Sequence, residues 1–185
     1  MMALLTPYLK PGMRVLDAGC GSGFFSRFFI EQGCTVDTLD YSQEALEVAK
    51  RLTENRSTHY LQEDLTLPEF GEKYAGTYDL IFTDGLFEHF QVPVQKAIMH
   101  NFIRAKKKDG IIATFVPNLF SWWEIIRPLV MPGIYEVPFT PAKLRELNSD
   151  LHIVACGGIN VLPFAVSPEK ALGSSCGMLL YTFAK

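Results

Sequence analysis

The chain has 185 residues, nearly half of them apolar and a fifth charged, with a formal net charge of −3. That length supports one domain with a substantial core, and that composition belongs to soluble globular proteins. The acidic balance excludes the broad phosphate-binding surface of a nucleic-acid protein.

Met1-Met2-Ala3-Leu4-Leu5 has no basic leader region and is not expected to act as a signal peptide. No apolar stretch reaches the ~20 residues of a membrane span. Cys20, Cys34, Cys156 and Cys176 show no Cys-x-x-Cys spacing and no paired histidines. That argues against zinc and a disulfide framework, and sets a reduced, cytoplasmic compartment as the expectation.

From Arg14 onward the pattern alternates between strand and helix, the signature of a parallel α/β sheet. The first strand is Met13 to Ala18. Its helix carries Phe24, Phe25, Phe28, Phe29 and Ile30 at helical spacing, a core stripe, and stops at the C-cap Gly33. Strand two is Thr35 to Asp40. Ser42 then caps a helix with Glu44 in its first turn and Ala45, Leu46, Val48, Ala49 and Leu52 on the buried face. Strand three, His59 to Glu63, is short, and strand four, Tyr78 to Thr83, is apolar enough to be central.

A helix from about Val92 to Lys107 follows, closed by the triplet Lys106-Lys107-Lys108, which reads as a solvated helix terminus. Strand five is Gly110 to Val116. The rhythm then breaks at an aromatic insertion, about Asn118 to Pro138. Thr140-Pro141 opens a helix through Leu147, and Leu151 to Leu162 and Met178 to Phe183 are the last strands. Paired antiparallel, they bring the count to seven. Pro163 to Gly177 between them is loop-rich, and there is neither a repeat nor a linker.

The informative segment is Val15-Leu16-Asp17-Ala18-Gly19-Cys20-Gly21-Ser22-Gly23, an apolar strand that turns through alternate glycines into a helix. Such a turn lets a ligand approach bare backbone at a helix N-terminus. The dinucleotide fingerprint Gly-x-Gly-x-x-Gly would put its third glycine at Phe24, whereas here it falls at Gly23. A nicotinamide site and a ligand-free structural turn are the alternatives. The pattern Asp-x-Gly-x-Gly-x-Gly resembles motif I of the class I S-adenosylmethionine-dependent methyltransferases. The resemblance covers about Leu9 to Val116, and the remainder by topology alone. It implies a doubly wound, mostly parallel seven-stranded α/β sheet with helices on both faces, filling residues 1–185 as a single domain.

It also implies that Asp17, Gly19, Gly21 and Gly23 belong to the cofactor site. Ligands of open parallel sheets bind beyond the carboxyl ends of the strands, so the residues ending strands one to four are expected to share a crevice. In the family the acid ending strand two holds the ribose hydroxyls, here Asp40; its alternative role is as a partner for the helix start at Ser42. Tyr41 follows, where an apolar side chain faces the adenine, or else it packs on the sheet edge. Asp64 and Leu65 match the residues that meet the adenine amino group and a ring nitrogen, the alternative for Asp64 being a turn aspartate.

Strand four runs into Thr83-Asp84-Gly85-Leu86-Phe87-Glu88-His89-Phe90, which resembles motif IV of the small-molecule branch. It is not the Asn/Asp-Pro-Pro-Tyr/Phe loop that grips a flipped base, so no nucleic-acid substrate is expected. Lys108-Asp109-Gly110 stands where relatives often have Pro-Gly-Gly. Methyl transfer from a sulfonium needs in-line positioning, and a base only where the acceptor must lose a proton. His89, at the mouth of the expected crevice, is the first candidate, with Glu88 and Asp84 behind it; the alternative is that the Glu-His pair braces the next helix. Some relatives bind a metal through Glu-x-x-Glu-His, but Gly85 replaces the first glutamate, so no metal is expected. His59, His100 and His152 read as structural.

Trp122, Trp123 and Tyr135, with Phe120 and Phe139, would line a hydrophobic or aromatic acceptor. Alternatively the insertion packs on a second subunit, as in a homodimer. Relatives usually carry a longer N-terminal cover than Met1 to Lys10, so the cover is expected from the insertion, from a partner, or from chain outside this sequence. The expected activity is S-adenosylmethionine-dependent methyl transfer to a small molecule. The rival from another class is a non-catalytic cofactor-binding subunit of a hetero-complex.

Overall fold

β1 (Arg14–Ala18) lies between β2 (Thr35–Asp40) and β4 (Tyr78–Asp84), parallel to both. β3 (His59–Gln62) runs parallel to β2 on its other side. With β5 (Lys106–Pro117), β6 (Ile153–Ile159) and β7 (Leu179–Ala184), the computed structural model forms a seven-stranded sheet ordered β3-β2-β1-β4-β5-β7-β6. β6 and β7 pair antiparallel, as the sequence implied. The structure describes residues 1–122, 124–125, 136–160 and 176–185; Trp123, Tyr135 and nearly all of the Pro163 to Gly177 segment lie outside these. Among the described residues no helix is long and apolar enough to cross a membrane.

The chain packs as two compact units, Met1–Asp84 with Ala97–Ile112, and Gly85–Lys96 with Ala113–Lys185. The first begins with α1 (Met2–Leu5) and a short 3-10 turn (Thr6–Tyr8), and holds α2 (Phe24–Glu31), α3 (Gln43–Leu52) and α4 (Pro68–Lys73). α5 (Val92–Ala105) and β5 each contribute residues to both units.

Apolar side chains of β1 and β4 pack against α2: the Phe25 and Phe29 rings stand 4.6 and 5.3 Å from Phe82. Phe24, expected in that stripe, is half exposed instead, because it opens the helix at the turn. Val48 likewise lies outside the buried face of α3, which is carried by Leu46 and Ala49. A buried carboxylate needs hydrogen-bonded partners, and Asp37 of β2 finds them on three other strands. It meets Arg14 of β1 at 2.8 Å, His59 of β3 at 2.7 Å and the Tyr78 hydroxyl of β4 at 3.0 Å. His59 is thus structural, with an acidic partner that the fold supplies.

Two elements differ from expectation. α4 was not anticipated, although Pro68 at its first position is a start signal. α5 ends at Ala105 and the three lysines open β5 rather than close the helix. The Arg104 and Ala105 carbonyls accept the N–H groups of Gly76 and Thr77 at 2.9 and 2.8 Å, which stops the helix there. Lys107 then pairs with Asp79 at 2.8 Å.

In the second unit the Tyr181 and Phe183 rings flank Phe115 at 5.8 and 6.0 Å. α6 (Pro141–Leu147) is capped by Thr140, whose side chain accepts the Lys143 N–H, and buries Leu144 and Leu147. Asn118 and Phe139 form a parallel bridge, so the aromatic insertion leaves and returns at one place.

Candidate active site

The turn after β1 is tied down by its first residues and left bare in its middle. The N–H groups of Gly19 and Cys20 both donate to the Leu39 carbonyl at 2.9 Å. Gly23 sits at φ +79°, and a Cβ there would come within 2.7 Å of the Ala49 Cβ. Its glycine is therefore required by the approach of α3. Gly21 differs: at φ +50°, a Cβ would meet nothing within 4 Å. The N–H groups of Ser22, Phe24 and Phe25 find no acceptor among the described residues. At a helix N-terminus such donors favour a polar or anionic group.

Around this turn stand three carboxylates of the first unit. Asp17 is buried, and its Oδ2 accepts the Ser26 hydroxyl at 2.6 Å, the first link of a chain through Thr38 at 2.8 Å to Ser57 at 2.7 Å. Asp17 thus braces the start of α2 rather than lining the open face. Burial pushes its carboxyl up to about 7, the Ser26 bonds oppose the rise, and the nearby charges of Asp84 and Asp40 add to it. Asp40 accepts the Gly21 N–H on Oδ2 and the Ser42 N–H on Oδ1, each at 2.9 Å. It therefore serves the helix start at Ser42 and, through Gly21, the turn; a carboxylate oxygen also retains capacity for further donors. Asp84, half-buried at the end of β4, is pushed up to about 6 by burial, tempered by the chain's amino terminus. Burial, with Asp17 and Asp40, raises the Cys20 thiol, so that it stays protonated.

Tyr41 is 77% exposed. Asp64 is a turn residue in the structure, its Oδ1 accepting the Thr66 N–H at 2.8 Å and hydroxyl at 2.6 Å. The carbonyls of Leu65 and Leu67 both accept from the Asn101 amide at 2.9 Å.

In the second unit Gly85, at φ +71°, donates its N–H to the Phe115 carbonyl at 3.2 Å. The 3-10 turn Phe87–His89 follows, with Glu88 buried and His89 exposed. Gln95 of α5 braces this turn by donating to the Phe87 and Phe90 carbonyls, both at 2.8 Å. The Glu88 carbonyl accepts the Val137 N–H at 2.9 Å, so the returning end of the insertion adjoins Glu88. Trp122 is half-buried. Sequence reasoning passed over Gln95, Asn101 and Asn118. The signal for the first two was a polar residue on the apolar face that Ile98, Met99 and Phe102 define.

The methyltransferase-domain family matches residues 15–110. The chain belongs to that family. It is 30% identical to the ubiquinone biosynthesis O-methyltransferase of Salmonella paratyphi A, an alignment that covers 94% of this chain and 76% of the relative. Among solved structures it resembles a protein of Pyrococcus horikoshii, with TM-score 0.73 and 18% identity over 99% of this chain and 86% of that one. It also resembles an S-adenosylmethionine-dependent methyltransferase of Archaeoglobus fulgidus, with TM-score 0.72 and 18% identity over 100% and 92% of the two chains. These likenesses confirm the fold.

The enzyme is thus an S-adenosylmethionine-dependent methyltransferase. Its first unit fits that cofactor in three respects. The turn offers bare backbone where a side chain at Gly21 would project, the start of α2 offers N–H donors, and three carboxylates lie where a cationic group is favoured.

Proposed function

We propose that the methyltransferase alkylates an oxygen of a small apolar or aromatic acceptor by in-line displacement. The observation that carries the reading is the pairing, through one N–H, of the open turn at Gly21 with the carboxylate of Asp40. Gly19, Gly21 and Gly23 receive the methionine part of the cofactor against backbone, and Asp17 fixes that turn through Ser26. Asp40 accepts from the ribose hydroxyls. Tyr41 offers a flat exposed ring to one adenine face, and Asp64 with the Leu65 N–H meets the adenine edge. When bound, S-adenosylmethionine supplies an electrophilic methyl group on a cationic sulfur. Asp17, Asp40 and Asp84 give that cation a favourable potential.

An oxygen acceptor is supported by the relative named an O-methyltransferase. An apolar or aromatic acceptor is supported by the insertion, whose described ends expose Phe120, Leu119 and Ile125. Trp122, Trp123 and Tyr135 are assigned to the acceptor side. A hydroxyl must lose its proton as it is methylated, and His89, exposed on its short turn, is the base, with Glu88 beneath it. Asp84 is a second reading for the base, favoured by a carboxyl already pushed up to about 6.

Calorimetry with S-adenosylhomocysteine, together with transfer of labelled methyl to matched aromatic alcohols, amines and thiols, tests the proposal. Micromolar binding that Asp40→Ala abolishes, with label on the alcohols alone, is expected. Wild-type affinity in Asp40→Ala would remove the ribose assignment, and label on the amines or thiols would overturn the oxygen acceptor.

A further inference from the structure

α5 carries a buried amide that neither the family pattern nor the proposed chemistry uses. Asn101 is 3% exposed, and its Nδ2 donates to two carbonyls of one loop, Leu65 and Leu67, both at 2.9 Å. An amide nitrogen has two hydrogens, so each carbonyl takes one and the donor is fully used. The approach is made close by Gly71 of α4: a Cβ there would lie 2.9 Å from the Asn101 Oδ1 and 3.1 Å from its Cα. The loop is also braced from within, where Asp64 Oδ1 holds the Thr66 N–H and hydroxyl. What remains is the other Asp64 oxygen and the Leu65 N–H, neither of which has a partner among the described residues.

We propose that Asn101 is a positioning residue for cofactor selectivity: it holds the loop from Asp64 to Leu67 in the conformation that distinguishes an adenine edge from other purines. The inference rests on the adenine assignment above and extends it to a residue that touches no ligand. Adenine presents an amino donor beside a ring-nitrogen acceptor, the complement of a carboxylate oxygen beside an N–H. Hypoxanthine presents a carbonyl beside a ring N–H, which inverts both partners. A site built to hydrogen-bond one pattern rejects the other strongly, because its own groups are left unpaired. That rejection needs the two loop groups held in register. The Asn101 clamp supplies the register, since fixing two carbonyls two residues apart leaves the intervening backbone little freedom. Leucine at 101 would keep the shape and leave both carbonyls without their donor.

The test is the ratio of affinities for S-adenosylhomocysteine and S-inosylhomocysteine, measured by calorimetry on the full chain, with thermal melts to confirm folding. Wild type is expected to prefer the adenosyl ligand by on the order of 100-fold. Asn101→Leu is expected to reduce the preference to less than about 10-fold by weakening the adenosyl ligand alone, since the inosyl ligand never used the register. A general loss of structure would weaken both ligands and leave the ratio where it was. Gly71→Ala pushes on Asn101 without removing it and is expected to fall between the two, which carries the test should Asn101→Leu fail to fold. A wild-type ratio in the folded variants overturns the role of Asn101 while leaving the adenine assignment standing. Equal affinity of the wild type for both ligands overturns the adenine assignment, and this inference falls with it.

Discussion

Asp17, Asp40 and Asp64 of the first unit are held by partners close along the chain, Ser26, Ser42 and Thr66, with Gly21 the longest reach at 19 residues. The bonds that border the insertion in the second unit span longer stretches than these three carboxylates: the Asn118 amide donates to the Gly177 carbonyl, 59 residues on, at 2.9 Å, and Val137 reaches back to the Glu88 carbonyl. The first arrangement is close to local, each bond lying within one turn or one strand–helix–strand unit. The second exists only when distant segments have returned. A ligand common to a whole family belongs on the local motif. An acceptor that differs between members belongs where the joins are long and the intervening chain is free to vary.

If that division holds, lesions in the two units separate by what they change. The largest effect is expected at His89: His89→Ala lowers kcat by about 100-fold or more and leaves the affinity for S-adenosylhomocysteine unaltered, as steady-state kinetics beside calorimetry would show. Unchanged kcat would transfer the base to Asp84. Next come the two glycines of the turn. Gly21→Val is expected to weaken S-adenosylhomocysteine by on the order of 100-fold with a modest loss of melting temperature, because the added side chain enters open space although it strains a left-handed backbone. Gly23→Ala meets Ala49 instead and is expected to cost about 3 kcal/mol of stability by denaturant titration. Equal stability losses at the two positions would erase the distinction between a glycine for the ligand and a glycine for packing. Smaller again is Asn118→Ala, which removes a buried bond to the Gly177 carbonyl and a part-buried one from the Phe120 N–H. It is expected to cost about 2 kcal/mol and to raise KM for the acceptor while sparing cofactor affinity. A matching loss of cofactor affinity would break the comparison between the units.

The sequence made β1, β2 and β4 readable because their apolar runs end in turn residues, and it placed the caps at Ser42 and Thr140 because those residues satisfy the first N–H groups of their helices. It misplaced the end of α5, where lysines fit a helix terminus and a strand start equally well, and the deciding hydrogen bonds come from Gly76 and Thr77. The glycine turn was legible down to the residue. The bracing of Asp17 was not: its carboxylate accepts the Ser26 hydroxyl of α2, and Ser26 in turn accepts from Thr38 of β2, contacts that only the fold supplies. Gln95, Asn101 and Asn118 carry no motif, since an amide that clamps a loop is defined by carbonyls that only the fold brings to it.

The carboxylates of the first unit provide the finest test, because burial brings the titration of Asp17 and Asp84 into an accessible pH range. In the free enzyme Asp84 titrates at about 6 and Asp17 at about 7, both above the ordinary carboxylate value of 3.8, with burial as the main cause. A cationic ligand favours the charged forms, so both carboxyls titrate lower in the complex and binding releases protons. Affinity for S-adenosylmethionine is therefore expected to be weakest near pH 5, to rise as pH passes through about 6 and 7, and to level off above. The expected gain is about tenfold, as when a single carboxyl titrates about one pH unit lower in the complex than in the free enzyme. S-Adenosylhomocysteine carries the same amino-acid and nucleoside groups without the sulfonium charge, so its rise should be shallower. The difference between the two slopes then isolates the sulfonium. Asp84→Asn is expected to bring the slopes together, read by calorimetry in buffers of differing ionisation enthalpy. Slopes that already coincide in the wild type would mean that these carboxylates do not face the sulfur. Asp84 would then lose its place in the cofactor site, whereas Asp40, held by Gly21 and Ser42, would keep its own.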